Sequence, residues 1–88
     1  MLGLIIDYKR HASKRLIMRS CDLGLNFDDA LKRVKETIYK GRLSRTKRSK
    51  QNVIYYKYFA DNISFFVICK KFTNRVVVKT VILRKGRE

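Results

Sequence analysis

From residue 52 onwards, apolar and polar positions alternate with a period of two. Asn52–Ala60, Ile63–Phe72 and Arg75–Arg84 are rich in Val, Ile, Tyr and Phe, with Asp61-Asn62 and Thr73-Asn74 between them. The pattern predicts three antiparallel strands joined by two hairpin turns. Upstream the period is helical. Asn26 opens a helix with Asp29 at the capping-box position, and Phe27, Ala30, Leu31, Val34 and Ile38 follow at helical spacing. Gly41 stands where a glycine would end that helix. An earlier helix runs from Asp7, a candidate N-cap, to about Ser20, with Ala12, Leu16 and Ile17 on its apolar side. Cys21–Leu25, with Gly24, reads as a loop, and Leu2–Ile6 as a short strand or extended lead-in. Arg42–Lys50 reads as a further strand or a mobile loop. The expected fold is therefore α+β, a single domain over 1–88 with two N-terminal helices packed on a three- to four-stranded antiparallel sheet.

Composition supports a core and adds a charge. Apolar residues make up 45% of the chain, including five Tyr and five Phe, which is enough for one folded domain. Lys and Arg number 22 against seven Asp and Glu, a formal net charge of +15. That excess costs self-repulsion in the folded state, so it points to a polyanionic partner, nucleic acid above all. No apolar stretch approaches the roughly 20 residues that span a bilayer. Met1–Ile6 lacks the basic start of a signal peptide. Cys21 and Cys69 show neither metal spacing nor a Cys-x-x-Cys pattern, so buried, reduced thiols and a cytoplasmic location are expected.

Candidate chemistry concentrates on the first helix. His11, Arg15 and Arg19 recur every four residues, so they line one stripe with a drift of about 40° per step. The same stripe is what a solvated helix face looks like in so basic a chain. The cations there repel one another, however, and His is the side chain poised for proton transfer near neutral pH. Further phosphate contacts are expected from Arg42, Arg45, Lys47 and Arg48, from Lys57, and from Lys79 on the last strand. Tyr55, Tyr56 and Tyr58 interleave with Lys57, with Lys70-Lys71 on the neighbouring strand, an arrangement that can stack bases of single-stranded RNA; alternation sends some of these rings into the core, and no one tyrosine is singled out. Asp28 and Asp29, the one close acidic pair, belong to a helix start and do not make a two-metal site. No metal site, cofactor motif or phosphate loop is expected.

The run H-A-x-x-R-x-x-x-R (His11, Ala12, Arg15, Arg19), the helix ending at Gly41 and the late strand V-V-V-K-T-V-I (Val76–Ile82) together resemble a small toxin-associated domain family. That family is similar to the barnase–EndoU–colicin–RelE group of metal-independent ribonuclease folds. The resemblance implies a RelE/barnase-like sheet and a toxin-type endoribonuclease that cleaves RNA by 2′-hydroxyl attack. It would use His11 as general acid or base, Arg15 and Arg19 on phosphate, and Thr80 to hold a phosphate oxygen or orient the histidine. It also implies a cognate antitoxin or immunity protein as partner. Ser20–Gly24 departs from the pattern as an insertion, and Ile82 stands where some such toxins carry Tyr. The other reading is a non-catalytic nucleic-acid-binding protein using the same basic face. By alternation, Thr80 is expected to share a face with Val76, Val78 and Ile82 at a sheet–helix boundary.

Overall fold

The computed structural model describes residues 5–43 and 52–87. The chain runs β1 (Ile5–Tyr8), α1 (Arg10–Asp22), α2 (Phe27–Lys40), β2 (Arg42–Leu43), β3 (Asn52–Phe59), β4 (Ile63–Lys71) and β5 (Arg75–Lys85). The five strands form one mixed sheet in the order β1-β5-β4-β3-β2. The three-strand meander lies where alternation placed it. The sheet is not purely antiparallel, because β1 pairs parallel with β5, Ile5 opposite Arg75 and Tyr8 opposite Val78. The two intervening helices carry the chain over the sheet, so the first and last strands meet at one edge. Among the described residues their pairing is the longest-range one, and local periodicity carries no record of it.

That pairing also moves the start of α1. Asp7 was the expected N-cap, but it lies within β1, 3.5 Å from Arg75 in an ion pair. The ladder holds the chain extended through Tyr8, and the Lys9 amide donates to the Val78 carbonyl at 3.0 Å. Lys9 becomes the N-cap, with no side-chain hydrogen bond to the helix.

The ends of α1 and α2 use glycine for different reasons. After α1, Gly24 adopts φ +77°. The Leu25 amide reaches back to the Ser20 carbonyl at 2.8 Å and the Gly24 amide to the Cys21 carbonyl at 3.1 Å. This is the left-handed helix stop that glycine favours. α2 starts on Asn26, whose Oδ1 accepts from the Asp29 amide at 2.8 Å. Gly41 follows α2 in ordinary extended backbone, φ −73° and ψ 171°, so no left-handed turn ends this helix. Its requirement for glycine is spatial: a Cβ would lie 2.6 Å from the Tyr56 carbonyl oxygen and against that of Thr37.

Both helices cover one face of the sheet, α1 over β5 and α2 over β3 and β4. Ala12 and Leu16 of α1 and Ala30, Val34 and Ile38 of α2 pack on Tyr55, Phe65, Val67, Cys69, Val76, Val78, Val81 and Leu83. Each of these buried side chains contributes about 1.5–3 kcal/mol of transfer free energy where it is large and apolar. Burial also pushes the Cys69 thiol up to about 12, so it stays protonated and inert. Cys21 is exposed, contrary to the expectation that both thiols are buried, because it faces outward in the last turn of α1; both cysteines are free.

A bidentate ion pair ties α2 to the β3–β4 turn. Arg33 Nη1 and Nη2 donate to the two Asp61 carboxylate oxygens at 2.8 and 2.6 Å. The guanidinium also lies 4.9 Å from the Phe59 ring centroid. The hydrogen bond from Arg33 holds the Asp61 carboxyl below the usual carboxylate range. A lowered folded value means that this contribution is complete above the ordinary value of about 3.9 and is lost as pH falls through the folded value. Solvent screens the pair, so Asp61→Asn is expected to cost only about 0.5–1 kcal/mol at neutral pH. It should also flatten the loss of stability below about pH 4. Urea midpoints measured from pH 7 down to about pH 3 check both effects; an acid limb as steep as wild type would refute the pairing.

Candidate nucleic-acid interface

α1 presents its cations outward. Ala12, Leu16 and Ser20 face the sheet, and the Ser20 hydroxyl satisfies itself by donating to the Leu16 carbonyl at 2.6 Å. His11, Arg15 and Arg19 each lie one residue away from that seam, about 100° around the helix, and all three are exposed. Arg15 and Arg19 line one open depression together with Met18 and Asp22. Arg10 and Lys14 extend the basic surface. Among the described residues, none of these α1 cations forms an ion pair. Asp22 shares that depression without forming an ion pair among the described residues; the other described acids are engaged elsewhere, Asp7 with Arg75, Glu36 with Lys57, Asp61 with Arg33, and Asp28 and Asp29 in the first turn of α2. No group of three or more His, Cys, Asp or Glu among the described residues is placed to hold a metal ion.

Thr80 is not on that surface. The ladder between β4 and β5 matches Cys69 with Val78 but Ile68 with Thr80, so Lys79 is an extra residue in a bulge. The bulge reverses the alternation. Val76 and Val78 before it, and Val81 and Leu83 after it, all turn to the helices and are buried. Thr80 and Ile82 turn to the other face. The expected common face of Thr80 with Val76 and Val78 is thereby corrected; only Ile82 shares it. The structure therefore groups Arg15 with Arg19, keeps His11 in line with them, and puts Thr80 on the sheet face away from α1.

The other expected phosphate contacts scatter. Lys57 lies on the helix-covered face in register with Phe65, 3.5 Å from Glu36 and 5.1 Å from the Phe59 ring centroid. It is engaged with that acid. Arg42 is exposed on β2, its guanidinium 5.0 Å from the Tyr56 ring centroid. Arg45, Lys47 and Arg48 lie outside the described residues. Lys79 is half-buried at the bulge.

The tyrosines of β3 divide between the two faces of the sheet, a choice that their spacing left open. On the face turned away from the helices, rows cross the strands in register: Tyr58–Ser64–Arg84, then Tyr56–Phe66–Ile82, then Ile54–Ile68–Thr80, then Asn52–Lys70–Val77. Tyr55 points the opposite way, into the core, where burial raises its phenol. The rings of Tyr56 and Phe66 are 4.8 Å apart. No acid occurs on β2–β5. The available signal for that face was in Ile63–Cys69, which is apolar at both parities. Both described helices lie on the other face, so no described helix covers this second apolar face, on which Ile54, Tyr56 and Ser64 are buried and the other residues are half-buried or exposed.

No helix among the described residues is long and apolar enough to cross a membrane. The chain matches no family model, no curated protein and no solved structure.

Proposed function

We propose that this protein binds nucleic acid, RNA in particular, through phosphate contacts on the outward surface of α1. One observation carries the reading: Arg10, Lys14, Arg15 and Arg19 stand exposed on one helix, without acidic partners among the described residues. Cations held in this way raise the energy of the isolated protein and are relieved by a polyanion. Guanidinium forks suit phosphate oxygens because two parallel hydrogen bonds match its geometry. The preference for RNA over DNA rests on the toxin-family resemblance.

A second reading is that the same surface cleaves RNA, as a RelE/barnase-like toxin checked by an acidic antitoxin or immunity protein. It is favoured by the placement of His11, exposed and one helical turn from Arg15. Cleavage would proceed by 2′-hydroxyl attack on the adjacent phosphorus, expelling the 5′-oxygen of the next nucleotide. His11 would move the proton at one of those oxygens, and the arginines would balance the charge on the phosphorane. Thr80, on the opposite face of the sheet, has no geometric support in this version of the site.

One experiment separates the readings. Labelled RNA is titrated with protein across a salt series in EDTA, and the same samples are run on a denaturing gel. The double variant Arg15→Gln/Arg19→Gln is expected to lower the slope of log affinity against log salt by about 1.5, from 0.7–0.9 per lost phosphate contact. An unchanged slope would remove α1 from the interface. Cleavage by wild type that disappears in His11→Ala establishes the enzyme, whereas RNA bound and intact with both proteins leaves binding alone.

A further inference from the structure

The open sheet face differs from α1 in what it can recognise. α1 offers charge, whereas the β3–β4–β5 face offers rings beside charge. At its end near the β3–β4 turn, Tyr58 and Phe66 are both half-buried rather than enclosed in the core. The Tyr58 hydroxyl donates to Asn62 Oδ1 at 2.7 Å, which fixes the ring before any ligand arrives. Asn62 itself is held in the left-handed region at φ 69°, so the anchor belongs to the turn. The Arg87 guanidinium lies 5.0 Å from the Tyr58 ring centroid. A planar cation thus already occupies the π-face that a nucleobase would use. Tyr56 is 5% exposed and is not such a surface; it supports the platform by contacting Phe66 and Ser64.

Two concave regions flank these rings. One is lined by Ser64, Phe66, Arg84, Lys85, Gly86 and Arg87. Two of its lining residues are joined by the Ser64 hydroxyl, which donates to the Gly86 carbonyl. The other is lined by Lys40, Gly41, Arg42 and the β3 residues from Tyr56 to Tyr58. Both contain cations, and neither contains an acid among the described residues.

We propose that this end of the open sheet face binds single-stranded nucleic acid, with bases stacked on Tyr58 and Phe66 and the flanking phosphates held by Arg84 and Arg87. The proposal rests on the nucleic-acid reading above and adds which form of the polymer is preferred. Bases within a duplex are stacked on each other and have no free π-face, so only an unpaired strand gains from the rings. An acidic protein segment would satisfy the cations but would leave the rings without a partner of matching shape. Tyr58, fixed by Asn62, loses little conformational entropy on stacking. Arg87, displaced from the ring by the incoming base, remains within reach of the adjoining phosphate.

The test uses the whole chain and three probes: a fluorescein-labelled oligouridine, an RNA duplex of the same length, and oligoglutamate of matched charge as competitor. Tyr58→Leu and Phe66→Leu keep apolar volume and are expected to weaken oligouridine binding about tenfold each, with duplex binding unchanged. Tyr58→Phe keeps the stacking ring but loses its anchor to Asn62, so it should weaken oligouridine binding only about threefold, well short of Tyr58→Leu, which separates stacking from misfolding. Arg84→Gln should lower the single-strand salt slope by about 0.7. The proposal is overturned if the leucine variants bind oligouridine like wild type, or if they lose duplex affinity equally. Oligoglutamate that displaces oligouridine as readily as it displaces the duplex would also overturn it, since stacking would then add nothing to charge. In each of those cases wild type still binds RNA and the α1 reading stands; a wild-type protein that binds neither RNA probe ends both.

Discussion

Phe65→Ala is expected to remove about 4 kcal/mol of folding stability, the upper part of the range for a buried aromatic truncated to alanine. Phe65 is fully buried on β4, the central strand of the sheet. Its ring meets Phe59 edge-on at 5.3 Å, and Lys57 and Leu83 flank it in register. Truncation leaves a cavity walled by strands on both sides and by the helix layer above, so the site has little room to collapse. A domain of this size commonly holds roughly 5–13 kcal/mol in total, so the loss is a large share. Thermal unfolding followed by circular dichroism should show the midpoint falling by at least about 15 °C. Phe66→Ala next in sequence serves as the control. Phe66 is half-buried on the face that no described helix covers and should cost about 1–2 kcal/mol. Equal losses for the two would mean that the helices do not cover the face assigned to them.

Gly41→Ala is the second large effect, at about 3 kcal/mol. The added methyl would meet two backbone carbonyl oxygens, Thr37 on one side and Tyr56 at 2.6 Å on the other. Neither can rotate away as a side chain would. Relief requires parting the end of α2 from β3, and the Gly41 amide's hydrogen bond to the Thr37 carbonyl, 2.9 Å, lies at that junction. Urea unfolding should show a lower midpoint with an unchanged slope. Gly24→Ala offers the contrast. Gly24 has φ +77° but open space around its Cβ position, so only left-handed strain of about 1 kcal/mol is expected. If Gly41→Ala proves no worse than Gly24→Ala, the close approach is refuted.

These two glycines mark where sequence reasoning reached its limit. The local pattern marks Gly41 as the glycine that ends α2 and Gly24 as part of a loop. In fact Gly24 makes the left-handed stop of α1, and Gly41 is required because β3 crosses close to it. A left-handed residue is a local event with a local signature. A close approach between elements far apart in sequence has none. Asp7 is a similar case: its side chain suits a helix start, but pairing with β5 keeps it in a strand. The candidate site divides along the same line. His11, Arg15 and Arg19 share a helix, so their spacing alone put them on one stripe. Thr80 was to join them from a strand, and one inserted residue at Lys79 turned it to the other face.

The amino-acid pattern by itself determined α2 with its Asn26 cap, the three long strands with their turns, and the cationic excess. Each depends on residues within a few positions of one another, or on composition. Only the tertiary structure decided that β1 joins β5 in parallel and that Val76, Val78, Val81 and Leu83 face the helices together. It alone put Tyr58, Phe66, Thr80 and Ile82 on the face that no described helix covers. Strand register, a single-residue bulge and the choice of which apolar face is covered are set by contacts across the whole chain. The energy that selects them comes from burying one face under two helices.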